Sequence, residues 1–158
     1  MNLILDMDGT LINERMEPRP HLKEFFEYVF SHFSNVSIWT FANTHWFALV
    51  YHTVFVHLLP KGKTFHFVWC RVNCKLVEYV PNIPMVVKPL VEIYKRYPIV
   101  YNPYNTLILD DTPSTYRENV GNAIRISTYS VNKTDTELLN IMYEFERKLF
   151  SPIKRHLL

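Results

Sequence analysis

Asp6 and Asp8 stand two residues apart directly after the apolar run Leu3-Ile4-Leu5, and the chain breaks at once into Gly9-Thr10. The run is too short for a helix and reads as a buried strand. Carboxylates leaving the carboxyl end of such a strand lie where open α/β sheets bind ligands. The pair suits a Mg²⁺ ion together with nucleophilic and acid/base work on a phosphate ester. Taken alone, it is equally an acidic turn after a buried strand. Three further signals fall at strand ends: Thr40 after Ser37-Ile38-Trp39, Lys88 before a helical pattern, and Asp110-Asp111 after Leu107-Ile108-Leu109. Singly, Thr40 reads as a structural hydroxyl, Lys88 as a solvated cation, and the aspartate pair as a helix cap or a metal site. Their shared order along the chain makes them one candidate site.

The elements that must position these residues alternate. Asn2 to Leu5 is predicted as a strand, and Pro20 to about His32 as a helix with Leu22, Phe25, Phe26 and Val29 on one face. Val36 to Trp39 is a second strand, and Asn43 caps a helix running toward Leu59. Pro60-Lys61-Gly62-Lys63 is a break, and Phe65 to Trp69 is extended. Lys75 to Val87 stays unassigned, Pro81 and Pro84 arguing against a long helix. Pro89 to Tyr97 is a helix, Thr106 to Leu109 a strand and Asn122 to Ile126 a short strand. Thr134 to Leu149 is an amphipathic helix, with Thr134 and Glu137 at capping-box spacing. Strands alternating with helices predict an α/β fold, a Rossmann-like parallel sheet with helices on both faces.

At 158 residues, 48% hydrophobic and 20% charged, the chain is expected to form one domain, 1–158, with a proper core. A formal charge of +2 does not point to nucleic acid or a membrane as partner. The aromatic share of 15% is high enough that most rings must be packing residues. The stretch from Trp46 to Leu59, interrupted by His52 and His57, is too short to span a bilayer. Met1 leads straight into the first strand with no leader pattern, and Cys70 and Cys74 form no disulfide framework. The expected location is intracellular, cytoplasmic or nuclear. The two thiols at x₃ spacing are weak zinc ligands and read as packing residues. His45, His52 and His57 read as packing or surface residues, and the basic tail Lys154-Arg155-His156 as a solvated end.

The order of motifs resembles the haloacid dehalogenase superfamily of aspartate-nucleophile phosphotransferases. Within it, the chain looks closest to the small phosphatases that act on the C-terminal repeat of RNA polymerase II, the group related to the NLI-interacting factor. Asp6-Met7-Asp8-Gly9-Thr10-Leu11 matches the first motif, Arg19-Pro20-His21-Leu22 the helix start that follows it, and Ile38-Trp39-Thr40-Phe41-Ala42 the second motif. Val87-Lys88-Pro89-Leu90 resembles the lysine motif. Leu107-Ile108-Leu109-Asp110-Asp111-Thr112-Pro113-Ser114-Thr115-Tyr116 is the most specific match. Gly9 stands where this subfamily usually has Glu, so the first motif takes the general superfamily form.

The resemblance implies Asp6 as nucleophile, forming an aspartyl-phosphate, and Asp8 as the acid and base of the two half-reactions. It implies Mg²⁺ held by Asp6, the Asp8 backbone carbonyl and Asp111. Thr40 would donate to a phosphoryl oxygen, Lys88 would supply a positive charge, and Asp110 would orient Lys88 or a metal-bound water. The segment between Asp8 and Thr40 holds one helix and one strand, and the surplus before Lys88 is only a small β insert between about residues 63 and 87. No full cap domain fits. An open site favours a phosphorylated protein segment, such as Ser-Pro repeats, with no membrane and no direct nucleic-acid contact. Hydrolysis of small-molecule or nucleic-acid-end phosphates, and a non-catalytic binding module of the same fold, are the competing readings.

Overall fold

A computed structural model describes residues 1–151; the basic tail lies outside the described residues. Strand β1 (Asn2–Leu5) is the centre of a five-stranded parallel sheet of order β3-β2-β1-β6-β7. Its neighbours are β2 (Asn35–Trp39) on one side and β6 (Thr106–Asp110) on the other. β3 (Val68–Trp69) and β7 (Ala123–Arg125) form the edges. Leu3, Ile4 and Leu5 are fully buried, as a central parallel strand with both faces covered requires. Each such side chain contributes about 1.5–3 kcal/mol.

Alternate residues face opposite layers. Leu3, Leu5, Val36, Ile38 and Leu109 pack with α1 (Leu22–His32), α2 (Thr44–Val50) and α5 (Glu137–Phe145). Ile4, Trp39 and Ile108 pack with Leu90 and Ile93 of α4 (Leu90–Arg96) on the other face. The fold is thus the Rossmann-like α/β architecture that the alternating pattern predicts, and of the haloacid dehalogenase type that the motif resemblance implies. Chain order reverses at β1, so the crevice outside the carboxyl ends of β1 and its neighbours is the natural ligand site.

Several elements differ in detail from the sequence pattern. α1 begins at Leu22 rather than Pro20, because His21 takes a left-handed φ of 68°. Asn43 does cap α2, its Oδ1 accepting the Trp46 N–H at 2.8 Å. The helix beyond it passes through a π-helical turn, Tyr51–Phe55, into the short α3 (Val56–Leu58). His45, His52 and His57 are exposed on it. Only Val68–Trp69 of the extended stretch pairs as strand, with Ile38 and Trp39.

The unassigned segment is an antiparallel hairpin of β4 (Lys75–Val80) and β5 (Ile83–Val87), turned at Asn82 with φ 64°. Thr134 and Glu137 do not form a capping box. Asn132 Oδ1 accepts from the Thr134 hydroxyl at 2.8 Å, and Asp135 Oδ1 takes the Glu137 N–H at 3.0 Å. α5 therefore starts three residues after Thr134. Among the described residues, no helix is long and apolar enough to cross a membrane.

Candidate active site

Asp6 follows β1 and stays in the ladder, its N–H donating to Leu109 O at 2.9 Å. The chain then folds back on itself, with Met7 O accepting the N–H groups of Thr10, Leu11 and Ile12. This turn brings the buried Thr10 hydroxyl to Asp6 Oδ2 at 3.0 Å and to Asp111 Oδ1 at 3.3 Å. Arg19 holds the turn from behind. Fully buried, it donates to Thr10 O and to both carboxylate oxygens of Asp135, and lies 5.6 Å over the Tyr129 ring.

Lys88 arrives from β5 and is buried to 1% exposure. Its Nζ donates to Asp6 Oδ1 at 2.6 Å and to Asp110 Oδ2 at 2.7 Å. Burial alone would depress an ammonium pKa, but the charges of Asp6 and Asp110 outweigh it and the net shift is upward. For Asp6, burial raises the carboxyl pKa well above its usual range; Lys88 opposes that shift, and the Asp110 and Asp111 charges add to it. Asp110 is fully engaged: Oδ2 also accepts from Thr115 Oγ1 at 2.8 Å, and Oδ1 from Thr112 N at 2.9 Å.

Thr40 follows β2, its N–H donating to Trp69 O at 2.8 Å. Its hydroxyl accepts the Ala42 N–H at 3.0 Å and reaches Asp8 Oδ2 only at 3.5 Å. Asp8 turns away from the other carboxylates, and its Oδ1 accepts the Trp46 indole N–H at 2.9 Å. Burial raises the Asp8 pKa, while the bonds from Trp46 and Thr40 pull it back. The upward direction is the one a proton donor needs.

Carboxylate oxygens of Asp6, Asp110 and Asp111 lie within 4.8 Å of one another. Hard, anionic oxygen donors in such a group fit a divalent cation of the Mg²⁺ type. All three accept hydrogen bonds through both oxygens, but Asp110 is the most buried, at 1% exposure, and is held by a backbone N–H as well as by Lys88 and Thr115, whereas Asp111 is only half-buried. Gly9 explains how Asp111 comes so close. Its φ is 79°, and a Cβ there would stand 2.5 Å from Asp111 Oδ2. That oxygen is in turn held by Thr128 Oγ1 at 2.7 Å. The general-form Gly in the first motif is thus a spatial requirement of this site.

All six residues singled out in the sequence converge here, at the carboxyl ends of β1, β2, β5 and β6. The sequence reading missed Trp46, Thr115 and Asn119. Asn119 grips the lysine segment from behind, its Oδ1 accepting from Leu90 N and its Nδ2 donating to Lys88 O. Trp46 was hidden among the aromatic residues of an apolar helix; its position two residues past Asn43-Thr44 carries no signal of its own. Cys70 is buried and Cys74 half-buried, the latter 3.7 Å from Thr40 O, and burial pushes both thiols up.

From Asp6, Asp8 and Thr40 a cleft of about 770 Å³ runs outward along the hairpin. Its sides are Phe41 and Ala42 after β2, Pro81, Ile83, Met85 and Val86 of the hairpin, Arg71, and the Thr112–Thr115 turn. A model of the NLI interacting factor-like phosphatases matches residues 1–153, nearly the whole chain. The chain belongs to that family. It is a haloacid dehalogenase-type phosphatase, and the convergence of Asp6, Lys88 and Asp110 occupies the place that this architecture reserves for ligands. A search of the curated proteins gave no significant match.

Proposed function

We propose that this NLI interacting factor-like phosphatase is Mg²⁺-dependent and hydrolyses phosphoserine or phosphothreonine in protein segments, through an aspartyl-phosphate on Asp6. The observation supporting a protein substrate is the open, largely apolar cleft along the hairpin. On this proposal the phosphate itself is held by Thr40, Lys88 and the metal, and further orienting energy comes from a longer chain lying along the rest of the cleft.

In this reading Asp6 Oδ1 and Oδ2, fixed by Lys88 and Thr10, present the carboxylate to phosphorus. Asp8 gives its proton to the departing serine or threonine oxygen, then takes a proton from the water that releases the phosphoryl group. The weakly held Thr40 hydroxyl turns to a phosphoryl oxygen, and Lys88 offsets negative charge as it is transferred. Asp110 keeps Lys88 in place. Asp6, the Asp8 backbone carbonyl and Asp111 would hold Mg²⁺. When bound, the ion supplies positive charge that reduces repulsion between the anionic nucleophile and the anionic phosphate.

The test is a kinetic panel. Ser-Pro phosphopeptides should exceed sugar phosphates and nucleotides in kcat/KM by on the order of tenfold or more. The reverse preference would move the assignment to metabolite or nucleic-acid-end hydrolysis, and no turnover of any monoester would leave a binding module. EDTA should abolish activity. Gly9→Ala and Asp111→Ala should raise the Mg²⁺ concentration for half-maximal activity by roughly 10–100-fold. Asp110→Ala should lower kcat with a smaller change in that concentration, as a Mg²⁺ titration of each variant would show.

A further inference from the structure

The two oxygens of Asp8 sit in unlike surroundings. Oδ1 accepts the Trp46 indole N–H at 2.9 Å, a normal bond. Oδ2 faces the Thr40 hydroxyl at 3.5 Å, too far for a strong one. An indole nitrogen is a donor only, so whichever oxygen faces it must act as an acceptor. Rotating the carboxyl group merely exchanges the labels. Trp46 itself is anchored: its backbone N–H donates to Asn43 Oδ1 at the start of α2, and its ring packs against the main core. It is half-buried and is not among the residues that line the cleft.

We propose that Trp46 is a positioning residue for proton transfer, holding one Asp8 oxygen so that the other, beside Thr40 and the cleft, carries the proton to the leaving group. The inference rests on the acid/base role given to Asp8 above. In the first half-reaction the bond from Asp6 to phosphorus forms as the ester P–O bond breaks, and the Asp8 proton goes to the departing oxygen. In the second, water oxygen bonds to phosphorus, its proton returns to Asp8, and the Asp6–phosphorus bond breaks to release inorganic phosphate. Throughout, Trp46 neither gives nor takes a proton. It restricts Asp8 to the orientation in which the reactive oxygen points at the ester.

The experiment uses leaving-group chemistry, which a general loss of structure would not mimic. An alkoxide leaving group depends on protonation, whereas p-nitrophenolate leaves without it. kcat/KM reports the step in which the leaving group departs. Trp46→Phe keeps an aromatic ring and loses the donor; it should cut kcat/KM for a phosphoserine peptide by roughly 10–100-fold. For p-nitrophenyl phosphate it should stay within about threefold of the parent, since little acid catalysis is needed there. Trp46→His places a ring nitrogen where the indole nitrogen stood, and should keep the parent ratio between the two substrates.

Equal losses on both substrates in Trp46→Phe would overturn the inference. So would a ratio in Trp46→His as depressed as in Trp46→Phe, because the donor would then be irrelevant. Asp8→Asn on the same pair tests the underlying reading separately: a ratio unchanged there removes Asp8 as the acid, whatever Trp46 does.

Discussion

Asp6→Asn is expected to lose at least about four orders of magnitude in kcat toward every phosphate monoester, as removal of a nucleophile does elsewhere. The amide fits the same space but cannot form the acyl-phosphate. The fold should survive. Lys88 keeps Asp110 as a partner at 2.7 Å, and the substitution removes a carboxylate whose pKa burial raises. A carboxyl group shifted upward opposes folding as pH rises through its range, so losing it offsets the lost ion pair. Thermal melts at neutral pH should lie within a few degrees of the parent while phosphate release is undetectable. Retained turnover in a folded Asp6→Asn protein would remove Asp6 from the chemistry.

Lys88→Met should fail in the opposite manner, losing stability together with activity. The methionine replaces the buried stem, but Asp6 and Asp110 are left at 6% and 1% exposure with no cation between them. Stranding buried charge in this way costs about 3–5 kcal/mol. For a chain of this size that is roughly 6–20 °C in Tm. Adding Asp110→Asn to Lys88→Met should restore part of the loss, because one stranded charge is gone. Urea unfolding of the single and double variants gives the coupling directly. A Lys88→Met protein as stable as the parent would mean that the two carboxylates do not depend on the ammonium.

The contrast between these two variants shows why some of the site was legible in the sequence and some was not. Asp6, Asp8, Thr40, Lys88, Asp110 and Asp111 each stand at or just past the carboxyl end of an apolar run, and an open α/β sheet gathers those ends in one place. Residue type and strand position together were enough. Trp46, Thr115 and Asn119 act through contacts that cross the chain, such as Asn119 to Leu90 and Lys88. Nothing local distinguishes such an Asn from a turn residue.

The fold followed the same division. The strands of the main sheet came from apolar runs, and their parallel arrangement from alternation with helices. The hairpin was expected only as a small β insert between about residues 63 and 87, its strands left unassigned because Lys75 to Val87 has no clean period. Its signal was the Pro81-Asn82 pair, which suits a turn with positive φ at the second position. The start of α5 was displaced by side chains: Asn132 takes the Thr134 hydroxyl, and Arg19 binds Asp135, whose carboxylate then caps Glu137.

The central place of β1 has a consequence for how a growing chain comes to life. Asp6 is made well before the segments that complete its surroundings: its strand is closed on the far side only by β6, and its buried ammonium partner lies 82 residues later in sequence. Parallel pairing between such distant segments forms slowly, since the loop must close before any bond rewards it. Until Thr106–Asp110 has emerged, β1 therefore keeps one bare, apolar edge that invites foreign strands. Asp6 is without its Lys88 partner for most of the same interval. Synthesis thus sets the order of events: the chain passes through its most aggregation-exposed stage before it can cleave anything.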